Sequence, residues 1–305
     1  MRVSRALVLT AAPGSAAVTD SAVCSALSRL EAGAVFDEGW LAPGEAWQAL
    51  FSANETDDIV ALGETIERAL AGLAIDVNVL PDDLDYRLKR VLVADMESTI
   101  IEQELIDEVA GLVGRRPEVE AITAATMRGE MAFEASLKAR VALFAGLEVK
   151  RLSEIHDRVS LMAGAETLIA SMKAHRAHTA LVTGGFSIFA ERVAQRLGFD
   201  EVHANNLEVA GGRLTGGVVE PILGRAAKRE RLESICLRLG VDALHSIAVG
   251  DGANDLDMLA AAGLGVAFRA KPKVLEAARA AVTGAVITHG DLSALLALQG
   301  VRPQT

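Results

Sequence analysis

Three short segments of this 305-residue chain carry residues that could do chemistry together: Asp95-Met96-Glu97-Ser98-Thr99, Thr183-Gly184-Gly185 and Gly250-Asp251-Gly252-Ala253-Asn254-Asp255. Each follows a short apolar, β-rich stretch, at 91–94, 179–182 and 246–249. Any one alone is ambiguous, because a strand-end Asp often only caps a helix and Gly-Gly often only turns the chain. All three in this order, with Lys228 between the second and third, converge on phosphoryl transfer. Clustered Asp95, Asp251 and Asp255 would repel one another without a cation. Hard oxygen ligands of this kind suit Mg²⁺, which also neutralises phosphate. A metal-bound aspartate is a ready nucleophile that needs no base to activate it. Thr183 offers a hydroxyl and Gly184 an unhindered N–H to phosphate oxygens, and Lys228 supplies a balancing positive charge.

Chemistry of this kind needs elements that bring the segments together. Strands alternating with helices predict an α/β fold with a doubly wound parallel sheet, in which ligands sit beyond the carboxyl ends of the strands. Further short strands are expected at 201–204, 265–268 and 285–288, and a hairpin of 207–210 with 213–218 around Gly211-Gly212. Between about residues 100 and 165 the pattern is helical. Ile101, Leu105, Ile106 and Val109 mark one helix; Phe133, Leu137, Val141 and Phe144 mark another. This block is expected to be a helical cap inserted into the sheet domain.

The first 80 residues read strand, helix, strand, strand, helix, strand. A strand at 3–10 precedes a helix at 20–30 capped by Thr19 or Asp20. Strands at 34–40 and 46–52 flank Pro43-Gly44. Asp58 and its neighbours open a helix carrying Ile59, Leu62, Ile66 and Leu70, and an edge strand at 75–80 ends at Pro81. That order predicts a small α+β, ferredoxin-like domain over 1–82, the element order of ACT-type amino-acid sensors. Docking or dimerisation is the expected role. Asp82-Asp83-Leu84-Asp85 reads as a charged linker to the second domain at 88–300.

Composition removes other classes. Asp+Glu 41 against Lys+Arg 30 leaves a net charge of −11, which repels phosphate backbones and anionic lipid, so neither nucleic acid nor a membrane is an expected partner. No apolar run approaches the ~18 residues of a membrane span. Cys24 and Cys236 lack the spacing of a zinc cluster or a disulfide framework. Arg2 and Arg5 precede an apolar run faintly like a signal peptide, but Pro13-Gly14 stops it, so a first strand and a cytoplasmic location are expected. His175 and His178 read as surface residues, and the other four His show no ligand spacing.

The residues Asp95-x-Glu97-x-Thr99, Thr183, Lys228 and Gly250-Asp251-Gly252-Ala253-Asn254-Asp255 resemble the four motifs of the haloacid dehalogenase phosphohydrolases. The phrases at 95–104, 133–140, 182–186 and 249–255 are similar to the phosphoserine phosphatase family within that superfamily. The resemblance covers about residues 88 to 298 and does not reach the first 80. It implies Asp95 as the nucleophile that forms an aspartyl phosphate and as a Mg²⁺ ligand. Residue 97 would be the general acid/base and lend a backbone carbonyl to the metal. Asp251 would bind the metal directly, Asp255 would hold the metal or its waters, and Lys228 would serve both catalysis and phosphate binding. Thr183, Gly184 and Asn254 would bind substrate. In the cap, Glu104 would face the ammonium of O-phosphoserine and Arg140 its carboxylate, which a guanidinium binds through two oxygens at once. The implied reaction is hydrolysis of O-phosphoserine to L-serine and phosphate, with a homodimer as an open expectation. One departure stands out: the family usually has Asp where this chain has Glu97. Two alternatives remain at this point. One is a phosphatase or phosphotransferase for another small phosphorylated amino acid. The other is an amino-acid-sensing regulator with decayed catalysis.

Overall fold

The computed structural model describes residues 1–83 and 85–302. The first part of the chain folds as β1 (Arg2–Thr10), α1 (Asp20–Leu27), β2 (Val35–Ala42), β3 (Ala46–Asn54), α2 (Ile59–Ala69) and β4 (Asp76–Pro81). Its strands pair antiparallel in the order β2-β3-β1-β4, the ferredoxin-like arrangement. Side-chain caps set both helix starts: Thr19 accepts from the N–H of Ala22, and Asp58 from Val60 and Ala61, which satisfies donors that lack a partner within the helix. The first helix ends at Leu27 rather than residue 30. Arg29 and Leu30 instead donate three residues back, to Ala26 and Leu27, the tighter winding common at helix ends.

The rest of the chain builds a six-stranded sheet from β5 (Val91–Ala94), β6 (His178–Phe186), β7 (Glu201–Asn205), β10 (Ser246–Gly250), β11 (Leu264–Phe268) and β12 (Gly284–Ile287). The order is β12-β11-β10-β5-β6-β7, and every pairing is parallel. All residues of β5 and β10 are buried, as expected for strands covered on both faces. Alternate side chains serve different cores. Leu92, Ala94, Leu181, Ile247 and Val249 point into one apolar cluster, and Val91, Val93, Ala180, Val182 and Ala248 into another. The second cluster is closed by α9 (Arg225–Leu239), α10 (Leu256–Ala261) and α11 (Pro272–Ala280); the first by α7 (Ala165–Ala174), α8 (Ser187–Leu197) and α12 (Ala294–Leu298).

Between β5 and α7 lie α3 (Leu105–Val113), α4 (Arg116–Met127), α5 (Phe133–Ala142) and the single turn α6 (Ser153–His156). Val109 on α3 and Leu137 and Val141 on α5 are buried, an apolar face as the spacing predicts. Ile101 and Phe144 are buried too, but Ile101 precedes α3 and Phe144 follows α5, so both helices are shorter than the spacing suggested. The hairpin of β8 (Leu207–Ala210) and β9 (Arg213–Val218) forms as expected, but it packs on this helical block rather than on the sheet. Arg213 donates to the carbonyl of Gly146 at 2.7 Å, and Leu214 is buried in the same cluster as Phe144.

The N-terminal sheet does not stand apart. Leu7, Leu9, Trp47 and Ile66 form its own core with α1 and α2. On the other face, Ala6, Val8, Leu41, Ala46 and Leu80 join the main cluster of the parallel sheet. At the border of β4 and β12, the Asn78 amide donates to the carbonyl of Val286 at 3.0 Å and accepts its N–H at 2.8 Å. The carboxylate of Asp76 accepts N–H groups of Thr288, His289 and Gly290 at 2.8–3.1 Å. Two sheet edges thereby cover each other through side chains. Not all of the charged linker faces solvent: Asp82 is buried, held by Arg87 at 3.0 Å and by the hydroxyl of Ser4 at 2.6 Å. A buried carboxylate requires such partners. Leu84 lies outside the described residues.

Candidate active site

Parallel pairing points every strand of the larger sheet the same way, so the loops at its carboxyl ends gather along one edge. Asp95 follows β5, the Gly184-Gly185 pair closes β6, and Asp251 follows β10; these three strands are neighbours. Lys228 comes from the first turns of α9, and Asp255 stands immediately before α10.

Asp95, Asp251 and Asp255 are buried, and each offers a carboxylate oxygen within 4.8 Å of the others. The Lys228 ammonium, 1% exposed, lies 2.6 Å from a carboxylate oxygen of Asp95 and 2.6 Å from one of Asp255. Burial and the neighbouring Asp255 push Asp95 up to about 7, with Lys228 working against the rise. Burial also raises Asp251, opposed chiefly by Lys271. For Lys228 burial disfavours the charge, but Asp255 and Asp95 outweigh it and hold the ammonium above its ordinary range. Three carboxylates against one buried lysine leave an excess of negative charge. An all-carboxylate donor set is the kind that hard divalent cations take, so the residues present fit such an ion.

Glu97 is not in that cluster. Its Oε1 accepts the N–H of Leu105, the first residue of α3, at 2.8 Å. Glu104, the residue at the N-cap, makes no side-chain cap; the Glu97 carboxylate satisfies an end-of-helix donor from across the loop. Burial, then the charge of Glu104, push Glu97 up to about 8. Between them, Ser98 adopts a left-handed conformation with φ 55°, and its hydroxyl donates to Glu104 at 3.0 Å. Backbone of this kind is costly for a non-glycine residue and persists only where its surroundings impose it.

Two glycines are explained by close approach. A Cβ on Gly250 would collide with the Asp255 carboxyl group. A Cβ on Gly185 would lie 2.9 Å from Glu97 Oε2 and 3.1 Å from Thr183 Oγ1.

A cavity of about 490 Å³ opens above the cluster. Asp95, Glu97, Gly184, Asp251 and Asn254 line it from the sheet side; Glu104, Phe133 and Arg140 line it from the helical block. Arg140 donates to the carbonyl of Ser136 at 3.3 Å, and burial pulls its pKa down while Glu97, Asp107 and Glu104 support its charge. Ten residues were singled out by sequence, and seven of them line this cavity: Asp95, Glu97, Glu104, Arg140, Gly184, Asp251 and Asn254. Thr183, Lys228 and Asp255 are buried under the floor. The Thr183 hydroxyl accepts the N–H of Gly185 at 2.9 Å, and Asp255 accepts that of Gly252 at 3.0 Å.

Sequence reasoning missed Lys271, whose ammonium lies 3.2 Å from Asp251, and Arg225, which pairs with Asp257 at the rim. Lys271 could have been found by extending the strand-end rule to β11. Phe133, read as a core position of its helix, packs against the main core and also lines the cavity.

The sequence model of the haloacid dehalogenase-like hydrolases matches residues 92–260. The chain is 46% identical over 212 residues to a phosphoserine phosphatase of Streptomyces coelicolor, covering 70% of this chain and 52% of that protein. It therefore spans about half the length of that relative. A phosphoserine phosphatase of a Polaromonas species is 41% identical over 228 residues, with 73% of this chain and 94% of the relative covered. Among solved structures, a haloacid dehalogenase family hydrolase from Salmonella enterica serovar Typhi superposes with a TM-score of 0.83 at 28% identity, over 96% of this chain and 98% of that one. Motifs, topology and these likenesses agree, and the chain belongs to the haloacid dehalogenase-like hydrolases.

Proposed function

We propose that this protein is a Mg²⁺-dependent phosphatase that hydrolyses O-phosphoserine to L-serine and inorganic phosphate. One observation carries the proposal: a single cavity joins the carboxylate floor of Asp95, Glu97 and Asp251 to Glu104 and Arg140 on the opposite wall. A phosphate ester bearing both an ammonium and a carboxylate matches that pattern of charges. The relatives named phosphoserine phosphatase support the same substrate.

Asp95, Asp251 and Asp255 would hold the divalent cation, which supplies charge neutralisation for phosphate and favours the ionised carboxylates. The Asp95 carboxylate attacks phosphorus, and the bond from phosphorus to the serine oxygen breaks. That oxygen takes the Glu97 proton, which a carboxyl group with a pKa of about 8 holds at neutral pH. Water then attacks the aspartyl phosphate, gives its proton to the Glu97 carboxylate, and releases Asp95 and phosphate. Lys228 steadies Asp95 and Asp255 throughout, and the backbone of Gly184 and the amide of Asn254 orient the phosphate. The helical block at 100–165 acts as a cap that excludes water during transfer and reopens for release.

Residues 1–82 act in this scheme as a docking module for the 88–300 phosphatase domain. Association of two copies is part of the same proposal, supported by the position of β2 at a sheet edge with Phe36 60% exposed. Two free cysteines support a cytoplasmic setting, and among the described residues no helix is long and apolar enough to cross a membrane.

The test is phosphate release from phosphoserine, phosphoethanolamine and a simple alkyl phosphate, each with Mg²⁺ and with a chelator. Turnover should require the metal and favour phosphoserine over the ester lacking a carboxylate by roughly 10²-fold or more, the scale of a lost charge-assisted pair. Equal turnover of all three esters would overturn the substrate assignment.

The close fit of Gly185 leads to a second expectation. Gly185→Ala should lower kcat at least about tenfold, because displacing Glu97 by even ~1 Å disturbs proton transfer. Combining it with Glu97→Asp should recover part of the loss, since the shorter side chain leaves room for the methyl group. A double-mutant cycle reads the coupling; strictly additive losses would show that the two residues do not constrain each other.

A further inference from the structure

The charges on the floor are not all held alike. Lys228 is buried and shared by Asp95 and Asp255, so it cannot leave without exposing two carboxylates to each other. Asp251 takes its countercharge from Lys271. The ammonium of Lys271 lies 3.2 Å from Asp251 Oδ2, and its side chain is 50% exposed. The stem is anchored where the head is not. The Lys271 N–H donates to the backbone carbonyl of Asp251 at 2.9 Å, and Pro272 starts α11 directly behind it. The head lines the same cavity as Glu104 and Arg140.

A divalent cation held by Asp95, Asp251 and Asp255 would have to share Asp251 with this ammonium. Two cations on one carboxylate repel each other strongly at such distances. Lys228 is locked; Lys271 has an open cavity beside it and four rotatable side-chain bonds. We propose that Lys271 is a positioning residue, a replaceable counter-ion that holds Asp251 before the metal arrives and surrenders that carboxylate to it. This deepens the metal-dependent phosphatase function proposed above and rests on it.

The experiment is Mn²⁺ titration of the full-length protein, with free Mn²⁺ read from its electron paramagnetic resonance signal. Lys271→Met keeps an unbranched side chain only one atom shorter and removes the charge. It should bind Mn²⁺ roughly fivefold more tightly than the parent, the scale of losing one half-exposed competing ion pair. Lys271→Arg keeps the charge and should stay within about twofold of the parent. Lys271→Gln serves as a second neutral variant with the same expected direction, and thermal unfolding confirms that each variant is folded. Unchanged or weaker Mn²⁺ binding by folded neutral variants, with metal-dependent phosphoserine turnover intact in the parent, would overturn the counter-ion role alone. A parent that binds no Mn²⁺ would overturn that role and the metal-dependent function together.

Discussion

Asp95→Asn is expected to abolish phosphoserine turnover, with a loss of at least about 10⁴-fold, the scale seen when a covalent nucleophile is removed. The side chain keeps its size, but an amide neither attacks phosphorus nor serves as an anionic metal ligand. The fold should survive. Burial and the neighbouring Asp255 already oppose ionisation of Asp95 and push it up to about 7, so a neutral amide is tolerated there, and Asp255 still pairs with Lys228. The measurement is acid quenching after mixing with ³²P-labelled phosphoserine. The parent should retain label on protein in a linkage that hydroxylamine cleaves, and the variant should retain none. Label on folded Asp95→Asn would place the nucleophile elsewhere.

Glu97→Gln should lower kcat for phosphoserine by roughly 10²–10⁴-fold, the usual span for a positioned proton-transfer group. Gln preserves length and volume and loses only the exchangeable carboxyl proton. The leaving group separates the two half-reactions. An ester of an acidic phenol needs little protonation, so the variant should still form aspartyl phosphate from it and then stall, because the attacking water has lost its base. A burst of about one phenol per protein, followed by slow release, is the expected trace. The pH profile gives a further sign. Glu97 is pushed up to about 8 by burial and by Glu104, so the acid form is present below that value. The parental kcat/KM should fall as pH rises through about 8, and Glu97→Gln should lack that limb. Parental turnover of phosphoserine by Glu97→Gln would assign the proton transfer to another group.

Much of this protein was legible along the chain because the signals are local. Continuous apolar runs such as 91–94 mark buried parallel strands, and chemistry-bearing residues at their ends follow from strand direction alone. The βαββαβ order of the first 80 residues, the hairpin at Gly211-Gly212 and the helical spacing of Leu137 and Val141 are likewise short-range features that the structure contains. Helix ends were less legible, since the last turn after Leu27 tightens to bonds three residues back, and helix termini fray within about one or two residues.

What the sequence by itself determined was the set of strand-end residues, the α/β alternation and the excess of carboxylates over lysines in the motifs. Tertiary structure alone decided how those groups divide. Asp255 and Lys228 went beneath the floor while Glu104 and Arg140 faced them across a cavity. It also turned the Glu97 carboxylate to the first N–H of α3, brought Lys271 against Asp251, and buried Asp82 with Arg87. In the same way the N-terminal sheet lent its second face to the main core, and the hairpin packed on the helical block. The physical reason is range. Periodicity and turn chemistry act over a few residues, whereas a contact between residues tens or hundreds apart is set by which strands become neighbours. Burial then fixes which charges must find partners, because an ion removed from water costs several kcal/mol unless another charge meets it.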